Sequence, residues 1–150
     1  MKKLILGILL AGTIMSLPVQ STAHERQCPK PIDISKSDAD LLMKVASNEA
    51  LNQGEIGIRL VMSVVLNRVN DPSFPDTIRE VIFQPEQFYT DGIENAEITS
   101  EVKEALLEIE CGGLDPQIIA FEKTDNNALD QYFSEAFVYR AHRFYTRKIN

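Results

Sequence analysis

The stretch SNEALNQGE, Ser47 to Glu55, puts a carboxylate where a helix should be burying apolar side chains. Glu49 follows Val45 by four residues, Leu42 by seven and Leu41 by eight, the spacings that bring side chains onto one helical face. Two effects disfavour its ionised form: burial, and the negative end of the helix dipole near the C-terminus. Both push its pKa above the ordinary carboxylate range, which suits a general acid near neutral pH. The competing reading is a carboxylate at the edge of the stripe paired with Arg59 or Arg68, since buried charges are usually paired.

Other chemistries find little footing. No HExxH zinc motif, GxSxG elbow or glycine-rich phosphate loop is present. A Ser-His-Asp triad would have to use His142, and nothing else points to it. A zinc site would need His24, His142 and the two cysteines, Cys28 and Cys111, which form no CxxC. The expectation is therefore no metal and no cofactor, and either acid/base chemistry by carboxylates or no chemistry.

Several elements must position Glu49. Ser37 reads as an N-cap with Asp40 three residues on, and the helix it opens runs to about Leu51. The NQG of Asn52–Gly54 breaks the pattern. A second helix, about Glu55 to Val69, is apolar almost all round, as a central buried helix is. NDPSFPDT is a turn, Thr77–Phe83 a short helix, and Gln84–Ile98 an irregular exposed loop. TSEVKEALLEIECGG is an amphipathic helix, capped by Thr99 or Ser100 and closed by Gly112. QIIAF and FVYRAHRFYT read as short strands. All eleven aromatic residues lie at or after Phe74; most complete a core, and a few are placed to line a groove.

The chain of 150 residues opens with a basic MKK, an apolar run from Leu4 to Met15 and a small-x-small pattern ending at Ala23. That is the layout of a secretory signal peptide over residues 1–23, too short in its apolar part for a spanning helix. Residues 24–36, with Pro29 and Pro31, read as a flexible arm, and 37–150 as one domain. Loss of the two leader lysines takes the formal charge from −7 to −9, a poor balance for binding nucleic acid. Export makes a disulfide possible; the spacing does not say whether Cys28 and Cys111 pair.

From Leu41 to Phe88 the chain resembles the catalytic domain of the SleB/CwlJ cell-wall hydrolases of spore-cortex lysis. The shared features are Glu49-Ala50, Gly57, VVLNRV at Val64–Val69, Phe74-Pro75, Thr77, Val81-Ile82, Gln84 and Gln87-Phe88, with His142, Phe144 and Tyr145 similar to the family's closing segment. The resemblance implies a small lysozyme-like, lytic transglycosylase-like α+β fold, mainly helical with short C-terminal strands. It also implies cleavage of peptidoglycan glycan strands, with Glu49 as the catalytic acid. The partner would be the glycan, outside the cell, with a monomeric enzyme and no membrane insertion after the leader is removed. The alternatives are a conventional muramidase and a non-catalytic glycan-binding wall protein on the same fold.

The family's second acid precedes the glycine matching Gly57. Here Ile56 holds that place and Glu55 stands one residue earlier, turned by about 100° on a helix. Glu55 is either a second catalytic acid or a solvated first-turn acid. Asn67 and Arg68 either orient Glu49 and the glycan or fix the end of their helix. Gln87, Phe88 and Tyr89 belong to a cleft loop, with Phe88 the one suited to the core. His142 is more often a structural hydrogen-bonder than a catalyst, and Tyr145 is placed to line the groove.

Overall fold

The computed structural model describes residue 28 and residues 32–148; the expected leader lies outside the described residues. Four helices come first: α1 (Lys36–Ala50), α2 (Gly54–Val69), α3 (Ile78–Ile82) and α4 (Ser100–Glu110). Three strands follow: β1 (Ala120–Lys123), β2 (Phe133–Tyr139) and β3 (His142–Arg147). This is the α+β arrangement expected from the sequence, a helical body with a small sheet.

The first helix starts earlier than expected. Ser35, not Ser37, is the N-cap: its Oγ accepts the Asp38 N–H at 3.2 Å and donates to Asp38 Oδ2 at 2.7 Å. The ISKSDAD stretch repeats the S-x-x-D spacing two residues apart, and the earlier copy is flanked by Ile34 and Ala39, which both pack against the core. Apolar residues at these two flanking positions favour that entry angle.

Helix α2 is the centre of the molecule. From Gly57 to Arg68 every residue except Arg59 is buried, because α1, α3 and α4 pack around it. That explains its apolar character on all faces. Thr99 caps α4 by accepting the Val102 N–H. At its other end Gly112, at φ +91°, lets the Gly112 and Gly113 N–H groups reach the carbonyls of Ile109 and Glu108, a Schellman closure.

The expected flexible arm is held at its described residues. Cys28 is disulfide-bonded to Cys111, with Cα atoms 4.6 Å apart, and the Ile32 N–H donates to the Glu110 carbonyl at 3.0 Å. Both ties end at the C-terminus of α4.

The sheet is antiparallel in the order β1-β3-β2. The stretch 137–146, expected as a single strand, is instead a tight hairpin. Tyr139 pairs with His142 across Arg140-Ala141, and Arg140 takes φ +51°. The loop lacks the Gly or Asn that usually marks such a turn. The Ala141 N–H donates to Gln53 Oε1 at 3.0 Å, so the turn after α1 holds the hairpin tip. Around Ala136 the register shifts, from Glu135↔Tyr145 to Phe137↔Phe144, a β-bulge. QIIAF is extended only from Ala120; the carbonyls of Ile118 and Ile119 accept instead from the Asn67 and Arg68 side chains.

Candidate active site

A cleft of about 1090 Å³ runs between the end of α1, the loop after α3, and the edge of the sheet. Glu49, Gln87, Tyr89 and His142 line it. So do Gln53, Phe121, Glu122 and Lys123, which the sequence did not single out.

Glu49 stands where the buried stripe of α1 reaches this cleft. Leu42, Val45, Ala46 and Ala50 beside it are fully buried, while Glu49 is half-buried. Its Oε1 accepts the Tyr89 N–H at 2.5 Å. The neighbouring side chains of α1 hold the same loop: Asn48 Nδ2 donates to the Tyr89 carbonyl at 3.3 Å, and Ser47 Oγ to the Glu97 carbonyl at 2.5 Å. Asn48 and Glu49 thus grip residue 89 from both sides of its backbone and set the exposed Tyr89 ring at the cleft.

Neither arginine proposed as a partner pairs with Glu49. Arg59 contacts Glu55 and donates to the Gly113 carbonyl. Arg68 donates to the Ile119 carbonyl at 2.7 Å and to Gln87 Oε1 at 3.0 Å. Among the described residues no ion pair or hydrogen bond engages the second oxygen of Glu49. Its pKa is raised, by burial above all; the Tyr89 N–H and the positive charge of Lys123 oppose the rise without cancelling it. The result is a carboxyl group fixed by one oxygen, with the other facing solvent or ligand, and inclined to hold a proton.

His142 also lines the cleft. Burial, and secondarily Lys123, lower its pKa, which favours the neutral ring. It lies edge-on to Phe121 and Phe144, with ring centroids 5.2 and 6.1 Å away.

The remaining expected residues stand elsewhere. Glu55 lies in the first turn of α2, 3.5 Å from Arg59 in an i,i+4 ion contact, away from the cleft wall. A carboxylate at this place in the helix favours the dipole. Asn67 is buried and donates to the carbonyls of Asp115 and Ile118 at 2.6 and 2.7 Å, fixing the chain that leads into β1. Arg68 is also buried, between the rings of Phe74 and Phe88; burial lowers its pKa to about 10 and leaves it charged. It reaches the cleft only through Gln87. Phe88 is in the core.

Tyr145 is fully buried behind the cleft wall. Its hydroxyl lies 2.5 Å from Glu122 Oε1 and 2.8 Å from Asp130 Oδ1. Burial and these two carboxylates push its pKa well up. Tyr145 therefore supports Glu122 from behind.

The Cell Wall Hydrolase family matches residues 52–148, a segment that begins three residues after Glu49. The spore cortex-lytic enzyme of Halalkalibacterium halodurans is 36% identical over 64 residues, 43% of this chain and 19% of that protein. The spore cortex-lytic enzyme of Oceanobacillus iheyensis is 35% identical over 88 residues, 57% of this chain and 32% of that protein. The chain thus spans a third or less of the length of these relatives. The crystal structure of the catalytic domain of Bacillus cereus SleB superposes with a TM-score of 0.67 at 26% identity, covering 78% of this chain and 95% of that domain. The catalytic domain of SleB from Bacillus anthracis gives 0.66 at 24% identity over 77% and 99%, a likeness of fold. With most of the domain matched in sequence and the SleB catalytic fold built around the cleft, this chain belongs to the cell wall hydrolase family.

Proposed function

We propose that the chain is an exported enzyme that cuts peptidoglycan glycan strands between N-acetylmuramic acid and N-acetylglucosamine, as a lytic transglycosylase with Glu49 as its acid and base. The observation that carries this reading is the half-buried Glu49 carboxyl in the cleft, held through one oxygen by the Tyr89 N–H and raised in pKa by burial. Protonated Glu49 donates to the glycosidic oxygen as that bond breaks. The carboxylate left behind takes the proton of the muramoyl 6-hydroxyl as that oxygen closes a 1,6-anhydro ring on the same sugar. Glu49 is reprotonated and no water is consumed. Gln87 and Tyr89 bind the glycan, and Arg68 positions Gln87. The leader over residues 1–23 takes the monomer to the wall, where spore cortex is one substrate.

A hydrolytic variant of this reading draws on Glu97 and Glu122, which share the cleft with Glu49. A second carboxylate in such a site activates water or attacks the sugar.

The test is digestion of purified vegetative peptidoglycan and spore cortex by the leaderless protein and by Glu49→Gln, with the soluble products identified by mass. Anhydro-muropeptides from the native protein alone are expected. Reducing-end products would replace the mechanism with hydrolysis. Wall binding by both proteins without soluble products would make this a glycan-binding protein.

A further inference from the structure

Part of the cleft wall consists of consecutive residues: Phe121, Glu122, Lys123, Thr124 and Asp125. Of these, Phe121, Glu122 and Lys123 belong to β1, and Thr124 and Asp125 to the turn after it; side chains on a strand alternate between faces, so a cavity that meets the three strand residues in turn meets the strand edge-on. The pairing agrees, because the order β1-β3-β2 leaves β1 with one neighbour.

The direction of each main-chain group follows from the ladder. The Thr124 N–H donates to the Ala141 carbonyl at 3.0 Å. Hydrogen-bonded positions alternate along an antiparallel pair, so Glu122 also turns toward β3, while Phe121 and Lys123 turn away from it. The Lys123 carbonyl accepts the Asn126 N–H of the following turn. Among the described residues no partner is found for the N–H and carbonyl of Phe121 or the N–H of Lys123. Two donors and one acceptor therefore stand along about 7 Å of strand edge.

An open edge takes up an extended chain by main-chain hydrogen bonding. We propose that the outer edge of β1 is a subsite for the stem peptide of peptidoglycan, which adds to the sheet as a fourth strand. The inference rests on the peptidoglycan reading above. The stem peptide leaves the muramic acid ring through its lactyl ether, on the sugar whose bond Glu49 would break. The strand β1 borders that same cleft. Lys123, exposed on this edge, supplies a cation for the stem carboxylates in a chain of net charge −7. The site would make the enzyme prefer peptide-bearing glycan over bare glycan.

Amide hydrogen exchange of the native leaderless protein tests this with two probes. One is a disaccharide muropeptide, N-acetylglucosaminyl-N-acetylmuramic acid carrying its stem; the other is the same disaccharide without peptide. The muropeptide should slow exchange at the Phe121 and Lys123 amides by about tenfold at saturation, as formation of one hydrogen bond each implies, and the bare disaccharide should leave them unchanged. Equal slowing by both probes would assign the edge to the sugar acetamido groups and overturn the proposal. Slowing confined to loop 84–98 would overturn it while leaving the glycan reading intact. No protection by either probe anywhere in the cleft would remove the glycan reading and the proposal together. As a second readout, Lys123→Pro, which lacks the outward N–H, should bind the muropeptide several-fold more weakly than Lys123→Ala. Equal affinities would count against strand addition.

Discussion

Replacing Glu49 with glutamine separates a chemical role from a structural one. The glutamine side chain has nearly the same shape, and its carbonyl oxygen can still accept the Tyr89 N–H. What it lacks is a transferable proton and a charge. A positioned acid/base group contributes roughly 10²–10⁴ in rate, about 3–5 kcal/mol of barrier, and glycan release should fall by at least that factor.

Stability should respond differently. The Glu49 pKa is raised from its ordinary 4.5, chiefly by burial. The folded protein therefore holds a proton that the unfolded chain releases, and stability falls as pH rises from the ordinary value through the raised one. The loss is complete above that window and absent below it. Glutamine carries no such loss. At pH 7 Glu49→Gln should be as stable as native protein or more so, because it lacks the loss that burial imposes on the ionised carboxylate. At about pH 4 the two proteins should coincide. Thermal unfolding at both pH values, beside release of soluble muropeptides, gives the answer. A variant that loses about 2 kcal/mol at pH 7 while keeping activity within about tenfold of native would refute the reasoning and make Glu49 a structural acceptor for the Tyr89 N–H.

The charge of Lys123 lowers the Glu49 pKa, so Lys123→Gln should raise it. Activity that needs protonated Glu49 falls as pH rises through that pKa, and the alkaline limb of kcat/KM should move to higher pH in the variant; an unmoved limb would mean that this charge does not tune the acid. Gly54 sits at φ +72°, ψ 175°, a region nearly confined to glycine, and the guanidinium of Arg140 would lie 3.2 Å from an added Cβ. Gly54→Ala should cost about 1–3 kcal/mol in urea unfolding, and a neutral result would contradict that geometry. Cys28→Ser opens a loop of sequence separation 83 and should lower stability by about 2–4 kcal/mol; unfolding midpoints that match under oxidising conditions would show that the bridge does not form in solution.

Much of this protein was determined by local pattern. An all-round apolar stretch can only be central, and α2 is. The Thr99 cap and the Gly112-Gly113 closure bound α4 through chemistry contained within a few residues. Glu49 could be picked out because the 3.6-residue period alone sets it among Leu42, Val45 and Ala46.

What only the tertiary structure decided depended on residues distant in sequence. The Arg140-Ala141 turn carries no local signal, because its geometry is held by Gln53, far earlier in the chain. Asn67 and Arg68 proved to be ties to the carbonyls around β1, and Tyr145 a buried support for Glu122. Glu122 and Lys123 escaped notice because the apolar run QIIAF ends at Phe121, whereas β1 continues to Lys123 through pairing with β3. Which edge is open follows from strand order, a long-range property that no window of sequence contains.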